Sequence, residues 1–320
     1  MSFPLKYRSV VLIFLLLTGE GCLITPTHLI PDGPDGVALT LRFRADDSAC
    51  KSGDPDGDLI SDVNLFLFSE DGFLTDRLWF KGAERALRLP RHEPLSLYAV
   101  ANVGFALDGI RTLDELRQWR YYLVYPDDFR RGLPRACIRE GIIPGEESSS
   151  LDVPMTPLLV RLTLSMDRTA LDPDVGIRVR SAVVGGCPNS ITPFAPSRAE
   201  TPAHLFGRGF CKEGTGADPL NRVSGGRSRD IDLYVLENLQ DGTRPSLCTY
   251  VELDVDYQSK EYWSAADRYL TYRFWVGEDH RLERGTQYRY VIRPAGDGLT
   301  GDDWSVDRSH LGRTGDALEP

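Results

Sequence analysis

The strongest constraint on this chain is a succession of short runs that alternate apolar and polar side chains. Val37-Ala38-Leu39-Thr40-Leu41-Arg42-Phe43 sets Val, Leu, Leu and Phe against Ala, Thr and Arg, and Val160 to Asp167 and Val175 to Arg180 repeat the pattern. A period of two puts every apolar side chain on one face of an extended strand. Val63 to Phe68 is richer, a strand expected to be buried on both faces for part of its length, and it ends at Ser69-Glu70-Asp71-Gly72. Asp-Gly between two apolar runs signals a hairpin, because both residues tolerate positive φ. Leu78 to Phe80, Ala86 to Leu89, Leu95 to Val103, Ile231 to Leu236, Tyr250 to Tyr257, Tyr269 to Val276 and Tyr288 to Ile292 continue the series. One helix is expected, with Thr112 as cap, Glu115 as capping-box partner, and Leu113, Leu116 and Trp119 on one face. Many short strands with no strand–helix rhythm imply an all-β chain built of sandwiches. Its 320 residues suit two of them, joined near Pro154 to Pro157. A polar loop is expected from about Pro126 to Ser150, and a hydrophilic, frayed end after Trp304.

Composition narrows the function classes. Lys+Arg 37 against Asp+Glu 47 leaves a net charge of −10, and with no basic run that argues against nucleic acid as a partner. Aromatics at 10% exclude disorder for the bulk of the chain. None of the five histidines lies within metal-ligand spacing of another, and GxSxG, HExxH, the P-loop and GxGxxG are absent. No catalytic residue, metal or cofactor is therefore expected, and the chain does not read as an enzyme.

Three weaker features invite a test. Asp54, Asp56, Asp58 and Asp62 hold positions 1, 3, 5 and 9 of a calcium-type loop, but Leu59 stands where Gly belongs and Leu65 where Glu belongs. A solvated turn is the simpler reading. Tyr269, Tyr272, Phe274, Trp275, Tyr288 and Tyr290 could form a sugar-stacking platform, although their place in alternating strands favours packing. The turn-rich segment from Cys187 to Asp230 has the length of a functional loop, and Cys187 with Cys211 is the weakly favoured disulfide, against buried unpaired thiols.

The first 22 residues carry an export address. Lys6 and Arg8 precede the apolar run Val10 to Leu17, eight residues against the ~20 that a spanning helix needs. Cys22 follows Gly21, where a bacterial lipoprotein cysteine would be acylated, and two chains would give stable anchoring. Gly19-x-Gly21 also fits ordinary signal cleavage. Either reading places the mature chain outside the cytoplasm. Residues 23–36, with three prolines, read as a tether.

Several segments in order resemble a known family. Val63-Asn64-Leu65-Phe66-Leu67-Phe68-Ser69-Glu70-Asp71-Gly72 and Leu97-Tyr98-Ala99-Val100-Ala101-Asn102-Val103-Gly104 are similar to the amino-terminal domain of Bacteroidales type V, fimbrillin-like pilus proteins. Asp232 to Gln240 (DLYVLENLQ), Tyr272 to Gly277, Glu283 to Tyr288 and Gly298 to Asp307 resemble the family's second half. The resemblance implies two transthyretin-like β-sandwich domains of Greek-key-like topology with few helices, over 37–155 and 156–307, with a disordered tail over 308–320. It implies a lipoprotein of the outer membrane surface, a fimbrium whose subunits join by strand complementation, and adhesion to host or bacterial surfaces. An arginine-specific protease would release the first strand, here Val37 to Phe43, at Arg42 or Arg44. Because 308–320 lacks the alternation of a donor strand, an anchor, accessory or tip subunit is expected rather than a stalk. The rival reading is a stand-alone surface lipoprotein that binds glycan or host protein.

Overall fold

The computed structural model describes residues 36–45, 58–124, 129–145, 149–196, 198–200, 207–211, 217–259 and 268–313; for 207–211, 268 and 312–313 it describes the backbone alone. The leader with Cys22, the tether up to residue 35, and Asp54 and Asp56 of the acidic loop lie outside the described residues.

The first half is a sheet of seven strands: β1 (Gly36–Ala45), β2 (Asp62–Ser69), β3 (Leu74–Lys81), β4 (Glu84–Pro90), β5 (Leu95–Ala101), then β7 (Arg135–Ile142) and β8 (Ser150–Pro157). Helix α1 (Leu113–Gln118) and the two-residue β6 (Tyr121–Tyr122) lie between β5 and β7. The spatial order is β3-β2-β5-β7-β8-β1-β4. Only Arg135↔Pro157 and Ala136↔Thr156 join β7 to β8, so the sheet turns over there and closes on one core that includes Leu41, Leu65, Leu97, Val153 and Met155. β2 is buried at every residue but its last. The hairpin after it turns on Gly72 at φ 78, whose N–H donates to the Ser69 carbonyl at 2.9 Å. In α1 the capping box forms: Glu115 N–H donates to Thr112 Oγ1 at 3.2 Å and Thr112 N–H to Glu115 Oε2 at 3.2 Å.

The second half holds β9 (Leu159–Met166), β10 (Ala170–Leu171), β11 (Val175–Cys187), β12 (Ser190–Ile191), β13 (Gly207–Cys211), α2 (Ala217–Asn221), β14 (Ile231–Leu236), β15 (Tyr250–Ser259), β16 (Arg268–Trp275), β17 (Thr286–Gly296) and β18 (Trp304–Arg313). Its nine-stranded sheet runs β10-β17-β9-β14-β13-β11-β15-β16, with β18 on β17, around a core that includes Leu162, Leu164, Leu233, Leu253 and Ile292. The strand order breaks sequence order in both sheets, which makes the topology Greek-key-like. The two halves also start alike. β1 runs parallel to β8 and antiparallel to β4; β9 runs parallel to β17 and antiparallel to β14.

A third core joins the halves. Phe66, Tyr98, Leu116 and Phe129 of the first pack with Leu159, Ile191, Phe194, Tyr234 and Leu236 of the second. β6 pairs with β12 across the same boundary.

Two segments depart from the sequence reading. The polar loop expected over 126–150 contains β7, whose polarity is inverted: Arg135 is fully buried while Ile138 is exposed. The expected tail from 308 is a strand as far as Arg313, paired from Trp304↔Pro294 to Arg313↔Thr286. It is an edge strand whose side chains from Asp307 to Leu311 are all exposed, so it needs no apolar alternation. Pro154 and Pro157 belong to β8 itself, and the halves divide at Leu158.

Candidate functional site

The arrangement with most functional content is the seam around β1. Alternation sends Leu39, Leu41 and Phe43 into the first core, where each is at most 2% exposed, and turns Arg42 and Arg44 outward. The Phe43 ring meets Phe80 at 5.9 Å between centroids. β4 covers one backbone edge of β1 from Gly36 to Arg42, and β8 covers the other from Thr40 to Ala45. Burial of three such side chains contributes roughly 5–9 kcal/mol. Removing β1 would leave two unpaired strand edges and an apolar groove with three vacant positions.

The two candidate cleavage residues sit on the outer face of this strand. Arg42 faces Glu84 at 3.7 Å across β4, and Arg44 faces Asp152 at 3.0 Å across β8. All four side chains are well exposed, so these pairs contribute little and leave the guanidinium groups within reach of solvent. Arg44 is the last residue but one of β1. Sequence alone gave no sign of Glu84 and Asp152 as their partners, since that pairing depends on register.

The two asparagines in the resembling segments prove to be loop anchors. Asn102, at φ 63, donates through Nδ2 to the carbonyls of Leu59 at 2.8 Å and Leu133 at 2.7 Å, and its Oδ1 accepts from Ser61 N–H at 2.8 Å. Asn238 donates through Nδ2 to Gly186 O, Leu247 O and Thr249 Oγ1 at 3.0–3.1 Å. Each sits just beyond the end of a central strand and ties two neighbouring segments to its own, a buried polar role that demands full satisfaction.

The other candidate features do not converge. Tyr288, Tyr290 and Phe274 are buried in the second core and Tyr272 stacks on Trp304 at 4.7 Å, whereas Tyr269 and Trp275 face outward; strand alternation splits the supposed platform. His92, His280 and His310 lie on separate loops or strands, and His310 stacks on Tyr288 at 5.0 Å. Among the described residues no group of three His, Cys, Asp or Glu could hold a metal ion. Asp62, the described end of the acidic loop, is buried and accepts from Gly104 N–H at 3.0 Å. Burial pushes the Cys137 thiol up to about 12 and raises that of Cys248, which makes both poor nucleophiles. The Cys211 side chain and much of the segment from 201 to 216 lie outside the described residues.

No family model matches the chain, and no curated protein matches it in sequence. Solved structures do match. A candidate cell adhesion protein of Bacteroides eggerthii superposes with a TM-score of 0.62 at 16% identity, over 86% of this chain and 95% of that one. The tip fimbrial protein Mfa3 of Porphyromonas gingivalis, truncated at its C-terminus, gives 0.60 at 11% identity, over 86% and 99%. A fimbrilin of the same species gives 0.58 at 11% identity, over 86% and 96%. The fold is fimbrillin-like, and these neighbours are fimbrial and adhesion proteins rather than enzymes.

Proposed function

We propose that the chain is a non-enzymatic subunit of a cell-surface fimbria, tethered to the outer membrane through acyl chains on Cys22 and contributing to adhesion. Its partners are other fimbrial subunits. The observation that carries this reading is the β1 seam: one terminal strand fills an apolar groove between β4 and β8, and arginines stand on its outer face. In a tip or accessory subunit, cleavage after Arg42 or Arg44 would free that strand together with the Cys22 tether, and an extended segment of a neighbour with alternate apolar residues would replace it by β-augmentation; an anchor would keep both strand and tether. The fold shared with a tip fimbrial protein and a fimbrilin supports the same reading. Within a filament we assign it to the anchor, accessory or tip position, because its last described strand is paired on β17 and lacks the apolar alternation of a donor.

Shearing filaments from cells and probing filament and membrane fractions, with Cys22→Ala in parallel, tests the assignment. The wild-type chain should travel with filaments or hold them to the membrane in a manner that depends on Cys22. A chain confined to membranes without filaments would favour the stand-alone lipoprotein. N-terminal sequencing of the filament-bound form locates it further: an intact Val37 strand supports an anchor, and a start at Phe43 or Ala45 excludes one.

A further inference from the structure

A cleft of about 1190 Å³ opens at the α1–β6 end of the first half. One wall is the loop after β5, which is held rigidly. Gly104 N–H donates to Asp62 at 3.0 Å, while Asn64 donates to Phe105 O at 3.0 Å and accepts from Leu107 N–H at 2.9 Å. Three arginines line the cleft, Arg120, Arg130 and Arg131, and no acidic residue does so among the described ones, in a chain whose net charge is −10. Arg120 is neutralised by Glu200 at 2.8 Å. Arg131 has no hydrogen bond or ion pair among the described residues, and its guanidinium lies against Gly104, where a Cβ would stand 1.8 Å from Nη1. Gly104 has φ +86, so the glycine serves both the turn and the seat of this cation.

Beside Arg131 the cleft presents two rings to solvent, Phe105 at 56% and Tyr122 at 52% exposure. Tyr121 also lines it, and its hydroxyl makes no hydrogen bond among the described residues. Exposed ring faces, a neutral hydroxyl donor and one uncompensated guanidinium seated against a rigid wall match a ligand with an apolar ring face, hydroxyl groups and a carboxylate. The volume exceeds that of a single sugar. A peptide would instead want a free strand edge, and β6 is two residues long and paired with β12.

We infer that this cleft binds an acidic oligosaccharide, with Arg131 taking the sugar carboxylate and Tyr122 or Phe105 stacking on a pyranose ring. The site goes beyond the fimbrial assignment and does not depend on assembly. It is tested on the purified, full mature chain by calorimetry with trigalacturonate and sialyllactose as acidic probes and lactose as the neutral one. At least one acidic probe should bind tenfold or more tighter than lactose, with affinity falling as salt rises. The probe that binds separates a uronic acid from a sialic acid. Arg131→Ala should erase the preference for the acidic probe, Arg131→Lys should keep part of it, and Tyr122→Ala should weaken binding at least fivefold, all with unchanged melting temperatures. Absence of binding by both acidic probes, equal binding of lactose, or an Arg131→Ala variant that binds like wild type would overturn the assignment. Because the purified chain is used, either result leaves the filament-fractionation test standing on its own.

Discussion

β1 and β9 occupy equivalent places, each between one parallel and one antiparallel neighbour, but they are held in different ways. β1 buries one face and exposes the other, where Arg42 and Arg44 make solvent-accessible ion pairs. β9 buries most of both faces. Its outer side is tied down by an Arg161–Asp232 pair and by Thr163, which donates to Asp232 at 2.6 Å. Both of its neighbours are clamped as well, since Glu237, buried just after β14, pairs with the partly buried Arg284 just before β17. Two strands with the same topology thus differ in how reversibly they are seated: the first is a strip fastened along one face, the second an internal beam.

The largest effect should come from deleting the strip. A chain that begins after Ala45 should lose the cooperative melting of the first half, worth at least the roughly 5–9 kcal/mol of its three core side chains. Adding the peptide of residues 36–45 should restore it; a truncated chain that melts like the intact one would end the comparison. Arg284→Met comes next. It removes the guanidinium that faces the buried Glu237 carboxylate and should cost about 3–5 kcal/mol in denaturant unfolding. Asn102→Ala and Asn238→Ala should each cost about 1–3 kcal/mol, and equal losses would show that the two halves depend alike on their loop anchors.

A smaller effect should be visible in acid. The Thr169 hydroxyl holds the Asp167 carboxyl, at the end of β9, below its ordinary value; burial opposes this, while Thr169 N–H and Arg227 reinforce it. A depressed folded pKa stabilises above the unfolded value and is lost as pH falls through the folded one, so the second half should weaken in that window. Asp167→Asn should flatten that limb of the stability–pH curve. The smallest change in stability is expected for Arg42→Ala and Arg44→Ala, below about 1 kcal/mol each. The double variant should nevertheless resist an arginine-specific protease at β1, read by mass spectrometry of the released fragment.

The interior strands were legible in the sequence because burial marks them: β15 and β9 alternate apolar with polar residues, and β2 is an apolar run because both its faces are buried. The α1 cap was legible for a local reason, since Thr112 and Glu115 lie three residues apart. The outer part of β18 escaped because from Asp307 to Leu311 both sides of this edge strand are exposed and there is no hydrophobic period to display. β7 escaped because it buries Arg135 and exposes Ile138, the reverse of the usual code. Of the candidate site, the sequence offered Arg42 and Arg44 but not Glu84, Asp152 or the cleft, which register and loop placement bring together across long stretches of chain. The aromatics of β16 and β17 form no platform because they come from both faces of β16 and from β17, in keeping with the packing role that their alternation favours.

The core shared by the two halves carries a mechanical consequence. Tyr98 meets Phe194 edge-on at 5.8 Å and Phe129 meets Tyr234 at 5.1 Å, so the boundary is a packed interior. Relative motion is the usual expectation for two domains joined by a small polar contact, and a large apolar one suppresses it. A pull applied at one end of this molecule is therefore passed on by side-chain packing, without first straightening a linker. In the fimbrial role proposed above, that would mean a short, stiff coupling in which tension is felt at both ends almost without extension.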